Sequence, residues 1–285
     1  MTTASAGESG GAAKQIPIVS VNGSEHHSES DSVAAEEPLE IRVAAGGAEP
    51  VSVAITMRTP GHDNELEAGF LWGEGLLGGD TRIVSVQPGG AIQPGGYRNV
   101  VVVTLAGALP DLSASARHFY MTSSCGVCGK ASLEAIGDRK PFDLSRAAPR
   151  FVPAAVYALP AKLRAAQETF ARTGGLHAAA LFDAGGNLLL LREDVGRHNA
   201  VDKLVGAAVL SGSLPLSGAL LLLSGRASFE LVQKAVMAGI PLVAAVGAPS
   251  SLAVSLAKDN GVTLLGFVRG ERFNIYAGEE RIERG

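Results

Sequence analysis

At 285 residues, 46% hydrophobic but only 5% aromatic, the chain can bury a substantial core built mainly from Ala, Val and Leu. The formal net charge of −4 belongs to the first 37 residues, which hold six acids and one lysine; the remainder is near neutral, which argues against a general nucleic-acid binder. No apolar run reaches the ~20 residues of a membrane span, and the N-terminus lacks the basic-then-apolar order of a secretory signal, so a cytoplasmic chain is expected.

Residues 1–36 are rich in Gly, Ser, Ala and Glu without apolar periodicity, and read as a disordered leader. His27-Ser-Glu29 within it matches the His-x-Glu half of a zinc-deaminase signature, but that chemistry needs the pair in a packed core. Structure is expected from Leu39–Ala44 and Val51–Met57, two alternating strands joined by a Gly-Gly turn. Arg58-Thr-Pro-Gly-His-Asp63 follows as a turn, with Asp63 placed to cap a helix carrying Leu66, Phe70, Leu71 and Leu76. Ile83–Val86 and Asn99–Leu105 read as further strands around a Gly/Pro-rich loop.

After His118-Phe-Tyr-Met121 comes Thr122-Ser-Ser-Cys-Gly-Val-Cys-Gly-Lys130, which holds Cys125 and Cys128, the only cysteines of the chain. Two thiols at i and i+3 can share a disulfide, bind a metal, or take turns carrying one sulfur atom. Gly126 and Gly129 permit a tight backbone, and Leu133 and Ile136 are spaced like the buried side of a short following helix. A cysteine before a helix meets unsatisfied N–H groups and the positive end of the dipole, and Lys130 adds a charge; all favour the thiolate. The stretch reads as a reactive thiol loop.

Beyond a loop containing Pro141, Pro149 and Pro153, Pro160–Ala171 is expected to be helical, starting near Pro160 and ending at Thr173-Gly-Gly175. His177–Asp183 and Leu188–Glu193 then form a hairpin. Helices over 200–211, 228–238 and 250–260 alternate with strands over 219–223, 242–246 and 263–268. That alternation predicts parallel strands buried on both faces in a three-layer α/β fold.

Ligands of open α/β sheets bind outside the carboxyl ends of strands. Three strand-to-helix loops there are polar: Glu193-Asp-Val-Gly-Arg-His-Asn199, Ser224-Gly-Arg-Ala-Ser228 and Ala248-Pro-Ser-Ser251. Helix N-termini along such a rim suit phosphates, and Arg197 and Arg226 can clamp them. The last segment, Leu265–Tyr276, reads as two strands around Gly270, with Arg269 and Arg272 flanking the tip and Phe267 and Phe273 beside them. Neither a Walker A loop nor a Gly-x-Gly-x-x-Gly turn between strand and helix is present.

Taken in order, Arg58-Thr-Pro-Gly-His-Asp63, Cys125-Gly-Val-Cys128, Thr173-Gly-Gly-Leu-His177, Glu193-Asp-Val-Gly-Arg-His198, Ser224-Gly-Arg226 and Phe267-Val-Arg269 resemble the formate dehydrogenase accessory sulfurtransferase family, FdhD. They span about residues 37–277. The resemblance implies a cytidine-deaminase-like fold with a mixed sheet, plus a smaller N-terminal β-rich subdomain. It divides the chain into the leader (1–36), a part with the thiol loop (37–140), an α/β part with the rim (141–277) and a tail (278–285). It further implies a cytoplasmic homodimer with no metal of its own that takes persulfide sulfur from a cysteine desulfurase. The sulfur goes to the molybdenum cofactor (bis-molybdopterin guanine dinucleotide) before insertion into formate dehydrogenase. Cys125 would carry the persulfide, and Phe267, Val268, Arg269, Gly270, Glu271 and Arg272 would bind the cofactor, joined by Arg197, His198 and Arg226 from the rim.

Other readings stay open on the residues alone. A zinc deaminase needs Pro-Cys-x-x-Cys, and Ser124 stands where the proline belongs. A dithiol oxidoreductase needs only the two cysteines. A non-catalytic cofactor chaperone needs only the arginine rim.

Overall fold

The computed structural model describes residues 11–77, 81–107, 141–144 and 149–284. His118, the thiol loop with Cys125 and Cys128, and the short helix expected behind it lie outside the described residues.

The first departure from expectation is at the start. Instead of a leader without structure, Ala13–Asn22 (β1) and Glu25–Ala34 (β2) pair antiparallel along their full length. The cause is the Asn22-Gly23-Ser24 turn, where Gly23 at φ 64 supplies the two-residue loop whose twist suits a hairpin. Its base is anchored by a Lys14–Glu37 ion pair at 2.5 Å and by the Ala35 N–H donating to the Ala12 carbonyl. Most of the ribbon is exposed, which is why no apolar periodicity marks it in the sequence.

Glu37–Ala45 (β3), Val51–Arg58 (β4), Arg82–Ile92 (β5) and Arg98–Ala106 (β6) form a four-stranded sheet in the order β4-β3-β6-β5. Alternation works as predicted in β3, where Leu39, Ile41 and Val43 are fully buried. Helix α1 (Asp63–Gly73) lies against this sheet through Leu66 and Leu71.

Pro153–Ala166 (α2) and Glu168–Thr173 (α3) follow. The helix expected at Pro160 therefore begins seven residues earlier and breaks at Gln167. Pro153 stands in its first turn, where proline's missing N–H costs nothing, while Pro160 sits inside and costs one helical hydrogen bond. Burial of Val156, Leu159 and Leu163 against the sheet outweighs that loss.

The second sheet contains His177–Phe182 (β7), Leu188–Asp194 (β8), Leu220–Leu223 (β9), Leu242–Ala245 (β10), Thr263–Arg269 (β11) and Arg272–Ala277 (β12). Its order is β12-β11-β10-β9-β7-β8: β9, β10 and β11 are parallel, and β7, β8 and β12 run antiparallel to their neighbours. Helices α4 (Arg197–Ser211), α5 (Phe229–Met237) and α6 (Ser251–Asp259) cover one face, packing on Leu221, Leu223, Val243 and Leu264. Helix α2 covers the other, packing on Leu220, Leu222, Leu242 and Leu265. The Leu-Leu-Leu-Leu run of β9 thus serves both cores alternately. The fold is a mixed-sheet, three-layer α/β unit with a separate β-rich N-terminal part.

The two parts meet where α1 crosses α4, backbone on backbone. A Cβ on Gly69 would stand 1.8 Å from the Asp202 carbonyl oxygen, and one on Gly206 would stand 1.7 Å from that of Glu65. No side chain fits at either position. Gly206→Ala should cost at least the roughly 1–3 kcal/mol typical of overpacking, read as a lower urea midpoint. An unchanged midpoint would mean that the helices do not cross this closely.

Candidate functional site

Strand direction decides which residues share an edge. Strand β8 ends at Asp194, β9 at Leu223, β10 at Ala245 and β11 at Arg269, while β7 begins at His177 and β12 at Arg272, all on one side of the sheet. The loops carrying Arg197 and His198, Arg226, and Phe267 to Arg272 are therefore gathered along one rim. From β11 to β8 is four strand spacings, about 19 Å.

The rim loops are bonded to one another. Ser224 exchanges bonds with Ala178, its N–H donating to the carbonyl at 3.0 Å and its Oγ accepting the Ala178 N–H at 2.8 Å. The Gly247 N–H donates to the Gly225 carbonyl at 2.9 Å, and the Phe267 N–H to the Gly247 carbonyl at 3.1 Å. Phe267 adopts φ 55, a left-handed conformation costly for an aromatic residue, at the register shift between Gly266 and Arg269. Strain of this kind persists only where the surroundings enforce it. Just before it, a Cβ on Gly266 would meet Pro249 at 2.8 Å and Tyr276 at 2.9 Å, so only glycine fits there. Val268 is buried beneath the bulge. Arg269, Gly270, Glu271 and Arg272 form the exposed tip, with the Arg269 guanidinium 6.0 Å from the Phe267 ring. Arg226, also exposed, reaches across Gly247. Among the described residues, no carboxylate pairs with Arg226, Arg269 or Arg272.

The Glu193–Asn199 motif divides into structural and rim-facing members. Glu193 accepts the N–H groups of Thr169 and Phe170 at 3.0 and 2.8 Å, satisfying the first turn of α3. Asp194 is fully buried, 2.7 Å from Lys203 of α4, and also accepts from the backbone of Gly196 and Thr59 and from the Asn199 amide. Lys203 donates on to the Thr59 carbonyl at 2.8 Å, and Asn199 to that of Met57 at 2.7 Å. Arg197 and His198 are left at the rim, in the first turn of α4. His198 Nε2 lies 2.8 Å from Glu230 Oε2 in the first turn of α5, and Ser228 Oγ is 3.5 Å away.

The Arg58–Asp63 motif is a structural device. Arg58 is wholly buried, forks both Asp63 oxygens at 2.9 Å and donates to the Arg98 carbonyl at 2.9 Å. Asp63 consequently does not cap α1; His62 occupies the cap position at φ 57. Beyond it, burial would raise Glu65, but the forked Arg192 guanidinium and His62 hold its carboxyl to about 2. Glu67 is the opposite case. Among the described residues its buried carboxyl has no partner for either oxygen, and burial together with Asp63 pushes it up to about 9, so it is protonated at neutral pH.

Sequence reasoning missed Lys203, Glu230 and the rim position of His177. Lys203 sits in an apolar helical run, an expensive place for a charge and therefore a signal of a buried partner. Glu230 looks like an ordinary acid in a first turn. Among the described residues no group of three or more His, Cys, Asp or Glu is placed to hold a metal ion. No helix among them is long and apolar enough to cross a membrane.

The FdhD/NarQ family profile matches residues 34–283. A Streptomyces avermitilis protein named sulfur carrier protein FdhD is 56% identical over 257 residues, covering 88% of this chain and 89% of its own. Its namesake from Mycolicibacterium paratuberculosis is 53% identical, covering 88% and 92%. The one from Sulfurisphaera tokodaii is 42% identical, covering 94% and 98%. A crystal structure described as a formate dehydrogenase accessory protein, from Desulfotalea psychrophila, superposes with a TM-score of 0.68 over 95% of this chain and all of that one. At 23% identity, that likeness speaks for the fold.

The Asp194–Lys203 pair gives a direct test of how the rim is held. Lys203→Met strands a buried carboxylate and should cost about 3–5 kcal/mol by denaturant unfolding. Adding Asp194→Asn should restore part of that loss, because the two partners are coupled. Additive losses would show that the pair does not act as a unit.

Proposed function

The chain belongs to the FdhD/NarQ family, and on that premise we propose that it is a sulfur carrier serving formate dehydrogenase. A cysteine desulfurase supplies the sulfur as a persulfide. The Cys125 thiolate attacks the outer sulfur, a new S–S bond forms on Cys125, and the donor leaves as its own thiolate. Cys128 then attacks the inner sulfur of that persulfide, closing a Cys125–Cys128 disulfide and releasing hydrosulfide to the acceptor; a thiol reductant resets the pair. The acceptor is the bis-molybdopterin guanine dinucleotide form of the molybdenum cofactor, bound as substrate before it enters the dehydrogenase.

The observation that carries this reading is the convergence of Arg197, Arg226, Arg269 and Arg272, with Phe267, along one sheet edge. Arginine forks match phosphate oxygens, helix N-termini add N–H donors, and an aromatic ring offers a face for a flat heterocycle. The N-cap residues of α4 and α5, Gly196 and Ser228, give no side-chain cap to the first N–H groups. A span of about 19 Å suits a ligand whose phosphates and rings are spread along its length.

Two measurements test the two halves. Incubation with a cysteine desulfurase and cysteine should add about 32 Da, one sulfur atom, and Cys125→Ala should abolish the adduct. Retention of the adduct in Cys125→Ala and its loss in Cys128→Ala would reverse the assignment. Dehydrogenase activity surviving loss of both cysteines would leave a cofactor chaperone in place of a sulfur carrier. In calorimetry with GDP, Arg197→Ala, Arg226→Ala and Arg269→Ala should each weaken binding roughly tenfold or more, the worth of one charge-assisted contact. Unchanged affinity in all three would remove the rim from the reading.

A further inference from the structure

We infer that His177 is a ligand-binding residue of the rim and takes up a proton when a phosphate-bearing ligand settles there. The inference rests on the rim reading above and adds to it a second histidine, with a charge state tied to occupancy.

The topology places His177. It opens β7, the strand lying between β9 and β8, and pairs in register with Asp194. Its ring lies over Gly225, with Nδ1 and Cε1 only 3.5 and 3.6 Å from where a Cβ would stand. Gly225 precedes Arg226, so the imidazole sits between the loop carrying Arg226 and the loop carrying Arg197 and His198. It is half-buried.

The charges facing it come from each neighbouring element. Helix α4 supplies Arg197 and His198, and β8 supplies Asp194. Arg226 follows Gly225 in the β9 loop, and Glu230 of α5 is engaged 2.8 Å from His198. Asp194 is the acid nearest in register, but it is already held by Lys203 at 2.7 Å. At the ring, Arg197 and His198 outweigh Asp194. Burial, Arg197 and His198 together lower the His177 pKa below its ordinary value, against a smaller opposing pull from Asp194.

A bound phosphate reverses that balance. Its negative charge offsets Arg197 and His198, and an imidazolium donates a stronger hydrogen bond to phosphate oxygen than a neutral ring. By linkage, binding and protonation then favour each other. The sign follows: the lowered pKa favours the neutral ring before binding, and a bound phosphate raises it, so binding consumes a proton. The effect should be largest at about pH 6, just below the ordinary histidine value of about 6.5, and fade toward pH 8.

Calorimetric titration of the full chain with GDP, in two buffers of different ionisation enthalpy, counts protons taken up per ligand. The terminal phosphate of GDP titrates in the same range, so the informative quantity is wild type minus His177→Asn, repeated with His177→Gln. Wild type should take up more protons than either variant at pH 6 and match them at pH 8. The variants should bind about tenfold more weakly at pH 6, with little loss at pH 8. Proton uptake unchanged in both variants, or lost instead in His198→Asn, would overturn the inference while leaving the rim reading intact. No GDP binding by wild type would overturn the rim reading, and this inference with it.

Discussion

Two charges buried together, Asp194 and Lys203 at 2.7 Å, hold the rim to the rest of the molecule. Neither belongs in an apolar interior alone, and each is satisfied several times over. Asp194 accepts from Gly196, Asn199 and Thr59, and Lys203 donates to the Thr59 carbonyl. Such a pair contributes modestly to stability when compared with apolar replacements, but breaking it is expensive. That asymmetry suits a fixing role. It sets the turn from β8 into α4, which places Arg197 and His198, and ties that turn to the N-terminal sheet through Thr59. The glycine crossing of α1 and α4 brings the two helices close enough for these bonds to form.

The rim then follows from strand direction. Because β9, β10 and β11 are parallel while β7 and β12 oppose them, the ends of β8 to β11 and the starts of β7 and β12 share a single edge. Loops from distant parts of the sequence arrive there in register, bonded to one another through Ser224, Gly225 and Gly247. The left-handed Phe267 adds a local bend that sets Arg269 and Arg272 at the exposed tip. A rigid sheet thereby presents cations on short loops, so little ordering entropy remains to be lost when a ligand binds.

Much of this was legible from the residues, for identifiable reasons. The α/β half announces itself because strands buried on both faces become apolar runs, such as Leu220–Leu223, and because their spacing leaves room for helices. The polar residues after each strand pointed to the rim. What escaped reading depends on partners far away in sequence. Lys203 finds Thr59, Arg58 finds the Arg98 carbonyl, and Glu230 finds His198. The N-terminal hairpin escaped for another reason: it buries almost nothing, so only its Gly23-Ser24 turn marks it. Asp63 was misread as a cap because a buried arginine competes for it more strongly than free N–H groups do.

Hydrogen–deuterium exchange with and without GDP tests most directly whether this edge is the binding face. The account predicts slowed exchange at residues 195–199, 224–228, 246–250 and 266–272, with the β1–β2 hairpin and the sheet of β3 to β6 unchanged. Slowing centred on that N-terminal sheet, with none in the four rim loops, would contradict it.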